Sequence, residues 1–453
     1  MPSTQAKTRR PRDPFLDLVR AGAILLVVAQ HWLMPVLSFH NGQLSTGNAL
    51  TTPGWWLLTW VSQVMPMVFF AGGAANLISF RAHRSRGGST RDWLGNRLHR
   101  LLVPVLALAA VWVPLPHLLA DLGVPAQPLD IAGGIVAQLL WFLVVYLGTV
   151  LITPIAVRTH ERFGLGALAV LTIAALGVDW LRFDGVPLVG YLNAVFVWFA
   201  VHQLGFHYVD GALSAASRLR GACLAVAGFG VTALLVLAGP YPASMVGMPG
   251  APVSNMSPPS ACLLAVACGQ LGLLLWLRPA LLRLAAKRPV AGALRWLGTR
   301  CMTVYLWHMP ALVAVTGIAV LGFGYATPEP GSVPWFAVAP VWLGLLAVTL
   351  AGLLRLFGRF EASAGVPRAL PALAQLVAGG LLTAGGLLGL AANGFGPPSE
   401  AGVPAVLTSG PVPWVALVLA GFAMISYRFS PRTTLDVTAD RGIRLFARLL
   451  PRG

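Results

Sequence analysis

Twelve apolar runs, each long enough to cross a bilayer as a helix, leave this 453-residue chain few alternatives to a membrane bundle. They lie near 16–38, 55–80, 99–119, 132–156, 164–181, 188–208, 221–240, 258–280, 300–323, 335–356, 369–392 and 410–427. In lipid every backbone N–H and C=O must be paired inside the protein, and a helix meets that demand segment by segment. With 57% hydrophobic and only 10% charged residues, the chain lacks the polar surface a soluble protein of this length needs. The expected fold is all-α, a polytopic transmembrane helix bundle of about 12 spans.

The net charge of +17 is distributed in a way that excludes a nucleic-acid reading. With the N-terminus placed inside, 30 of the 31 Lys and Arg residues fall in inward segments, and only Arg182 lies opposite. That asymmetry is the positive-inside pattern, and it predicts an even number of spans with both termini in the cytoplasm of a cell-membrane protein. The basicity orients the chain in its lipid bilayer. The four cysteines, Cys223, Cys262, Cys268 and Cys301, have no disulfide or metal-ligand spacing and read as packing residues, so no metal is expected. No cleavable signal peptide and no appended soluble domain are expected.

Four regions follow: a disordered basic lead (1–12), a membrane core (13–357), two further spanning helices (358–427) and a basic tail (428–453). In the tail, Ile443, Phe446, Leu449 and Leu450 alternate with Arg441, Arg444 and Arg448. That pattern fits an amphipathic helix on the cytoplasmic leaflet or, equally, an unstructured basic tail. No internal repeat is visible.

The polar residues inside the apolar runs point to chemistry. Arg20 and His31 are eleven residues apart, almost a whole number of helical turns, so both fall on one face about 16 Å apart along the axis. Ile24 and Val27 fill the stripe between them and cannot hydrogen-bond either one. Asp17, one turn before Arg20, is placed to pair with the guanidinium. The expectation is a charge pair at one end of the face and a lone imidazole near mid-membrane, where ionisable groups are costly and usually functional. A near-neutral imidazole is the usual general base for a hydroxyl. His31 and His308 are the histidines placed deep in apolar runs; His308 alone would read as a hydrogen-bonded structural residue. All 14 Asp and Glu fall in loops or near span ends, which weighs against an ion-coupled transporter.

Several segments resemble the acyltransferase-3 family of integral membrane O-acyltransferases. FLDLVRAGAILLVVAQH is similar to its first-helix signature, with Arg20 and His31; NRLHRLLVP resembles its Arg-x-x-Arg element, at Arg97 and Arg100. LLWFLVVYL is similar to a Trp-Phe-Leu segment of one branch, at Trp141 to Leu143, and TVYLWHMPALV resembles the late Tyr-Leu-x-His element, at Tyr305, Leu306 and His308. The matches occur in family order over roughly residues 12–357. In MVFFAGGAA, Gly72 stands where the family often has Ser. The ten-helix core of the family leaves the last two spans as additions.

The resemblance implies O-acyl transfer from acyl-CoA, acetyl-CoA foremost, to a hydroxyl of an envelope glycan or secondary metabolite, with no bound cofactor. His31 is then the base, or carries the acyl group transiently. Arg20 and Asp17 join it as catalytic candidates, Arg20 completing the donor site or simply holding Asp17, and His308 orients the acceptor or stabilises an oxyanion. Arg97 and Arg100, at the cytoplasmic mouth of the third span, suit the polyanionic donor because the guanidinium fork matches phosphate. Tyr305 and Trp307 beside His308, and Ser254 and Asn255 in the outer segment VSNMSPPS, are candidates for the acceptor; Ser254 and Asn255 read equally as a helix-entry loop. Trp55, Trp56 and Trp60 read as an interfacial belt. The alternative function is an exporter or flippase for a lipid-linked or glycan substrate, whose path the buried polar face would line.

Overall fold

A computed structural model describes residues 13–248, 250–362, 370–396 and 410–428. The basic lead (1–12) and the tail beyond Arg428, with its amphipathic pattern, lie outside the described residues. The helices are α1 (Pro14–Leu33), α2 (Leu58–Ser62), α3 (Met65–Arg84), α4 (Thr90–Trp112), α5 (Leu115–Asp121), α6 (Ala126–Gln138), α7 (Leu140–Phe163) and α8 (Leu165–Phe183). They continue as α9 (Asn193–Val209), α10 (Arg218–Ala238), α11 (Cys262–Ala286), α12 (Arg288–Gly298), α13 (Cys301–Thr316), α14 (Val333–Ala362), α15 (Leu373–Asn393) and α16 (Val412–Ser426). Among the described residues 11 helical segments are long and apolar enough to cross a membrane, and α16 is a shorter apolar helix of 15 residues. The chain is a polytopic helical bundle of about twelve spans, as expected.

The first run departs from its predicted end. α1 stops at Leu33 because Pro35 has no N–H and cannot continue a helix. Residues Pro35–His40 form β1, which pairs antiparallel with β2 (Gln43–Asn48) in the register Pro35↔Asn48 to His40↔Gln43. Asn41 (φ 51°) and Gly42 (φ 78°) make the two-residue turn, where both central positions need left-handed backbone and Asn-Gly supplies it. The hairpin is tied down at both strands. Leu44 N–H donates to Gln127 Oε1 (3.0 Å), Gln127 Nε2 returns a bond to Leu44 O (2.9 Å), and Thr327 N–H donates to Leu37 O (2.8 Å).

α1 packs against α3, α11, α12, α13 and α14 and so occupies the middle of the core. Asp13 starts it: its Oδ1 accepts from Phe15 N–H at 2.9 Å, capping an orphan donor of the first turn, while Oδ2 accepts from Tyr208 OH at 3.0 Å. Glycines allow the closest helix approaches, as in membrane bundles generally. A Cβ at Gly73 would strike the His202 carbonyl of α9, and one at Gly205 would strike the α3 backbone. The two added helices, α15 and α16, pair with each other and dock on α4, α6 and α7, with Phe422 against the His99 ring at 5.2 Å. At the basic end Asp210 receives Arg81 and His160 (Nε2 to Oδ2, 2.9 Å), and Arg81 also reaches Glu161 at 3.1 Å. Burial pushes the Asp210 carboxyl up, but hydrogen bonds and charge from Arg81 and His160 outweigh it and hold the group below the usual carboxylate range.

Candidate functional site

His31 and His308 meet. His31 sits in the last turn of α1, and its Nδ1 lies 2.8 Å from Nε2 of His308 on α13, with the rings nearly parallel. The imidazole is therefore not lone, in contrast to the sequence expectation. The partner also fixes where the protons are. A backbone carbonyl can only accept, so His308 Nδ1–H donates to Tyr305 O at 2.6 Å. Neutral His308 then presents the lone pair of Nε2, and His31 must donate from Nδ1. What remains is the lone pair on His31 Nε2, which has no hydrogen-bond partner among the described residues. Protonation at that atom leaves the whole chain of bonds intact.

The two helices are pinned at this level. Trp32 Nε1 donates to His308 O at 2.9 Å, and Trp342 Nε1 donates to Trp32 O at 3.0 Å. The Trp32 carbonyl is one of the four at the end of α1 without an intrahelical partner, so the indole of α14 satisfies it. Trp32 and Trp342, missed in the sequence, line a small cleft with Tyr325 and Trp335. Their signal was adjacency to His31 and the abundance of aromatic residues near span ends.

Arg20 and His31 do share a face, and both reach the same neighbouring segment: Arg20 Nη2 donates to Gly298 O at 3.3 Å, ten residues before His308. Asp17 makes no ion pair with Arg20. Gly298 ends α12, where unpaired carbonyls and the negative end of the helix dipole attract a cation, and that contact replaces the expected pair.

Arg97 turns inward from α4. Its Nη2 donates to Asn76 Oδ1 (2.8 Å) and lies 3.4 Å from Tyr146 OH, while its Nε is buried without a partner among the described residues. Asn76 Nδ2 in turn donates to Nε2 of His202 at 3.2 Å. His202 is 2% exposed and lies inside a span, which the sequence reading overlooked although it stands well within the 188–208 run. Gly72 has a clear role here: a Cβ at that position would come within 2.9 Å of the Tyr146 ring, so its smallness admits the tyrosine. Arg100 is exposed and joins none of these contacts. From Tyr146 a string of rings runs to the histidines: Phe142 at 5.7 Å, then Tyr305 at 5.1 Å from Phe142, then His308 at 5.9 Å from Tyr305.

The acceptor candidates divide. Tyr305 belongs to the histidine cluster, although its OH is spent on Leu139 O at 2.7 Å. Trp307 stacks on Phe357 of α14 at 3.7 Å and is 2% exposed, facing away from solvent. Asn255 is fully buried; both its N–H groups go to Pro242 O and Ser244 O, and its oxygen accepts from Ser260 Oγ at 2.6 Å. Ser254 Oγ accepts from Met256 and Ser257 N–H, and its carbonyl takes Arg182 Nη2 at 3.0 Å. These two side chains organise the loop that precedes α11. Trp60 likewise donates its indole N–H to Ala243 O at 2.8 Å, which anchors it to that loop.

No curated protein and no solved structure matches the chain. The acyltransferase-3 family model, an acyltransferase domain, matches residues 13–354, which takes in α1 through most of α14 and every residue of the histidine and Arg97 clusters. The chain therefore belongs to the acyltransferase-3 family and is a multi-pass membrane acyltransferase.

Proposed function

We propose that this protein moves an acyl group from cytoplasmic acyl-CoA to a hydroxyl of a glycan or secondary metabolite in the cell membrane, with His31 as general base. The observation that carries the reading is the uncommitted Nε2 lone pair of His31, left by the Tyr305–His308–His31 chain of hydrogen bonds. Nε2 takes the proton of the acceptor hydroxyl as its oxygen attacks the thioester carbonyl. The tetrahedral adduct collapses, the C–S bond breaks, and the leaving thiolate takes the proton back from Nε2–H. Products are the ester and free CoA–SH. His308 is a positioning residue: it holds His31 in the useful tautomer and accepts from the imidazolium while the proton is stored, as second partners of catalytic imidazoles commonly do.

Arg97 is the donor-side residue in this reading, supported by its position on the basic side and its spare guanidinium N–H. The one-sided arrangement of basic residues supports a donor arriving from the cytoplasm and both termini lying there. In sealed proteoliposomes of known orientation, labelled acyl-CoA is expected to react only from the basic face, while an impermeant acceptor is modified on the opposite face. Labelling only when both reagents share the basic-face compartment removes the transmembrane route. Absence of any transfer from acyl-CoA, across acceptors, removes the donor assignment.

A further inference from the structure

The basic end holds a cavity of about 280 Å³, framed by α3, α4 and α7 and lined by Arg81, Arg84, Thr90, Arg158 and Glu161. Its volume approaches the lower end of small-molecule sites, roughly 300 Å³. Its three arginines are not equivalent. Arg81 is neutralised by Asp210 and Glu161. Arg84, itself exposed, spends one N–H on the Gly88 carbonyl at 3.1 Å, a surface bond that a stronger acceptor displaces at little cost. Arg158 is exposed and has no hydrogen bond or ion pair among the described residues. The cavity therefore presents one uncommitted guanidinium, one easily released, and the Thr90 hydroxyl.

The same three helices carry the Arg97 cluster further in. Asn76 precedes Arg81 on α3, Arg97 follows Thr90 on α4, and Tyr146 precedes Arg158 on α7, deeper by about 7, 10 and 18 Å at 1.5 Å per residue. The cavity and Arg97 thus lie one behind the other between α3, α4 and α7, and the ring string leads on from Tyr146 to His31. We propose that this cavity binds a phosphate ester through Arg158 and Arg84, and that its occupant is the phosphorylated nucleotide end of the acyl-CoA donor. The inference rests on the acyl-CoA reading. Guanidinium groups at a water-accessible mouth suit phosphate oxygens, and the mostly apolar stretch further in, with Arg97 as a hydrogen-bond donor, suits the uncharged amide-bearing arm that carries the thioester.

The probe is adenosine 3′,5′-bisphosphate, the nucleotide end without arm or acyl group, titrated against the full chain in nanodiscs of zwitterionic lipid. Binding is expected, weakened about tenfold or more in Arg158→Ala and further in Arg158→Glu, with Arg84→Ala intermediate. Turnover gives the second readout: Arg158→Ala should raise KM for acyl-CoA and leave kcat/KM for acyl-pantetheine, which lacks the nucleotide, unchanged. Bisphosphate affinity that ignores both Arg158 substitutions overturns the site, and if wild-type turnover with acyl-CoA persists, the donor reading still stands. An equal loss with acyl-pantetheine also overturns it, because the arginine would then act on structure alone. Bisphosphate binding abolished in phosphatidylglycerol nanodiscs assigns the cavity to a lipid headgroup and overturns the nucleotide. Arg158-dependent bisphosphate binding without any acyl-CoA turnover upholds the phosphate site while the donor reading falls.

Discussion

His31→Ala is expected to lower acyl transfer by about a hundred- to ten-thousandfold, the usual worth of a general base, with expression and thermal stability close to wild type. The substitution removes the one ring nitrogen of the two histidines whose lone pair is free. It also leaves His308 Nε2 without a donor, a modest cost because that group accepts a single bond. His308 variants separate positioning from proton transfer. His308→Leu leaves His31 free to adopt either tautomer and should cost about ten- to a hundredfold in kcat. His308→Gln, whose carbonyl oxygen can accept from His31 Nδ1–H, should recover part of that loss. Normal product formation by well-folded His31→Ala protein would remove the catalytic assignment. Equal activity of the Leu and Gln variants would remove the tautomer argument.

Arg97→Ala should raise KM for acyl-CoA by about tenfold or more, consistent with a charge-assisted hydrogen bond worth roughly 1.5–3 kcal/mol. The effect has a structural share, because Asn76 Oδ1 and Tyr146 OH lose their guanidinium inside the bundle. Arg97→Lys divides the two: it restores the charge without the fork, so stability should return more fully than donor affinity. Arg100→Ala, at an exposed position free of these contacts, should do less than Arg97→Ala. Titration with a non-hydrolysable acyl-CoA analogue reads both variants. Affinity unchanged in Arg97→Ala would return this arginine to a topology anchor.

Much of the architecture was legible because lipid imposes one rule on every segment, so run length alone locates helices. The exceptions are places where hydropathy and backbone chemistry disagree. Residues 35–38 are apolar enough to extend the first run, yet Pro35 ends the helix and Asn41-Gly42 turns the hairpin, a signal present in the sequence and outweighed there by hydropathy. The helical repeat placed Arg20 and His31 on one face correctly, since both reach the segment Gly298–His308. Their partners were hidden. A carbonyl left unpaired at the end of α12 exists only once α12 has an end, so nothing in the local sequence could prefer Gly298 over Asp17. Nor does residue type tell a sugar-binding Asn from one whose three hydrogen bonds hold a loop, as Asn255 does. His202 and Asn76 were visible as polar residues in apolar runs; their link to Arg97 needs α3 and α9 to touch at Gly73 and Gly205.

The histidine pair has a consequence for energetics across the membrane. Neither imidazole hydrogen-bonds a carboxylate, so between turnovers the pair of neutral rings carries no fixed charge. In the proposed cycle one proton passes from acceptor to His31 and leaves on the CoA thiol, while the acyl group, formally an acylium leaving its electron pair on sulfur, moves the other way. The two like charges move in opposite directions and cancel, so no net charge crosses the field and the roughly 2.3 kcal/mol per charge per 100 mV available from a membrane potential does no work on the exchange. Turnover in proteoliposomes should then be the same with and without an imposed potential. A rate that follows the voltage would mean that an ion moves with the acyl group.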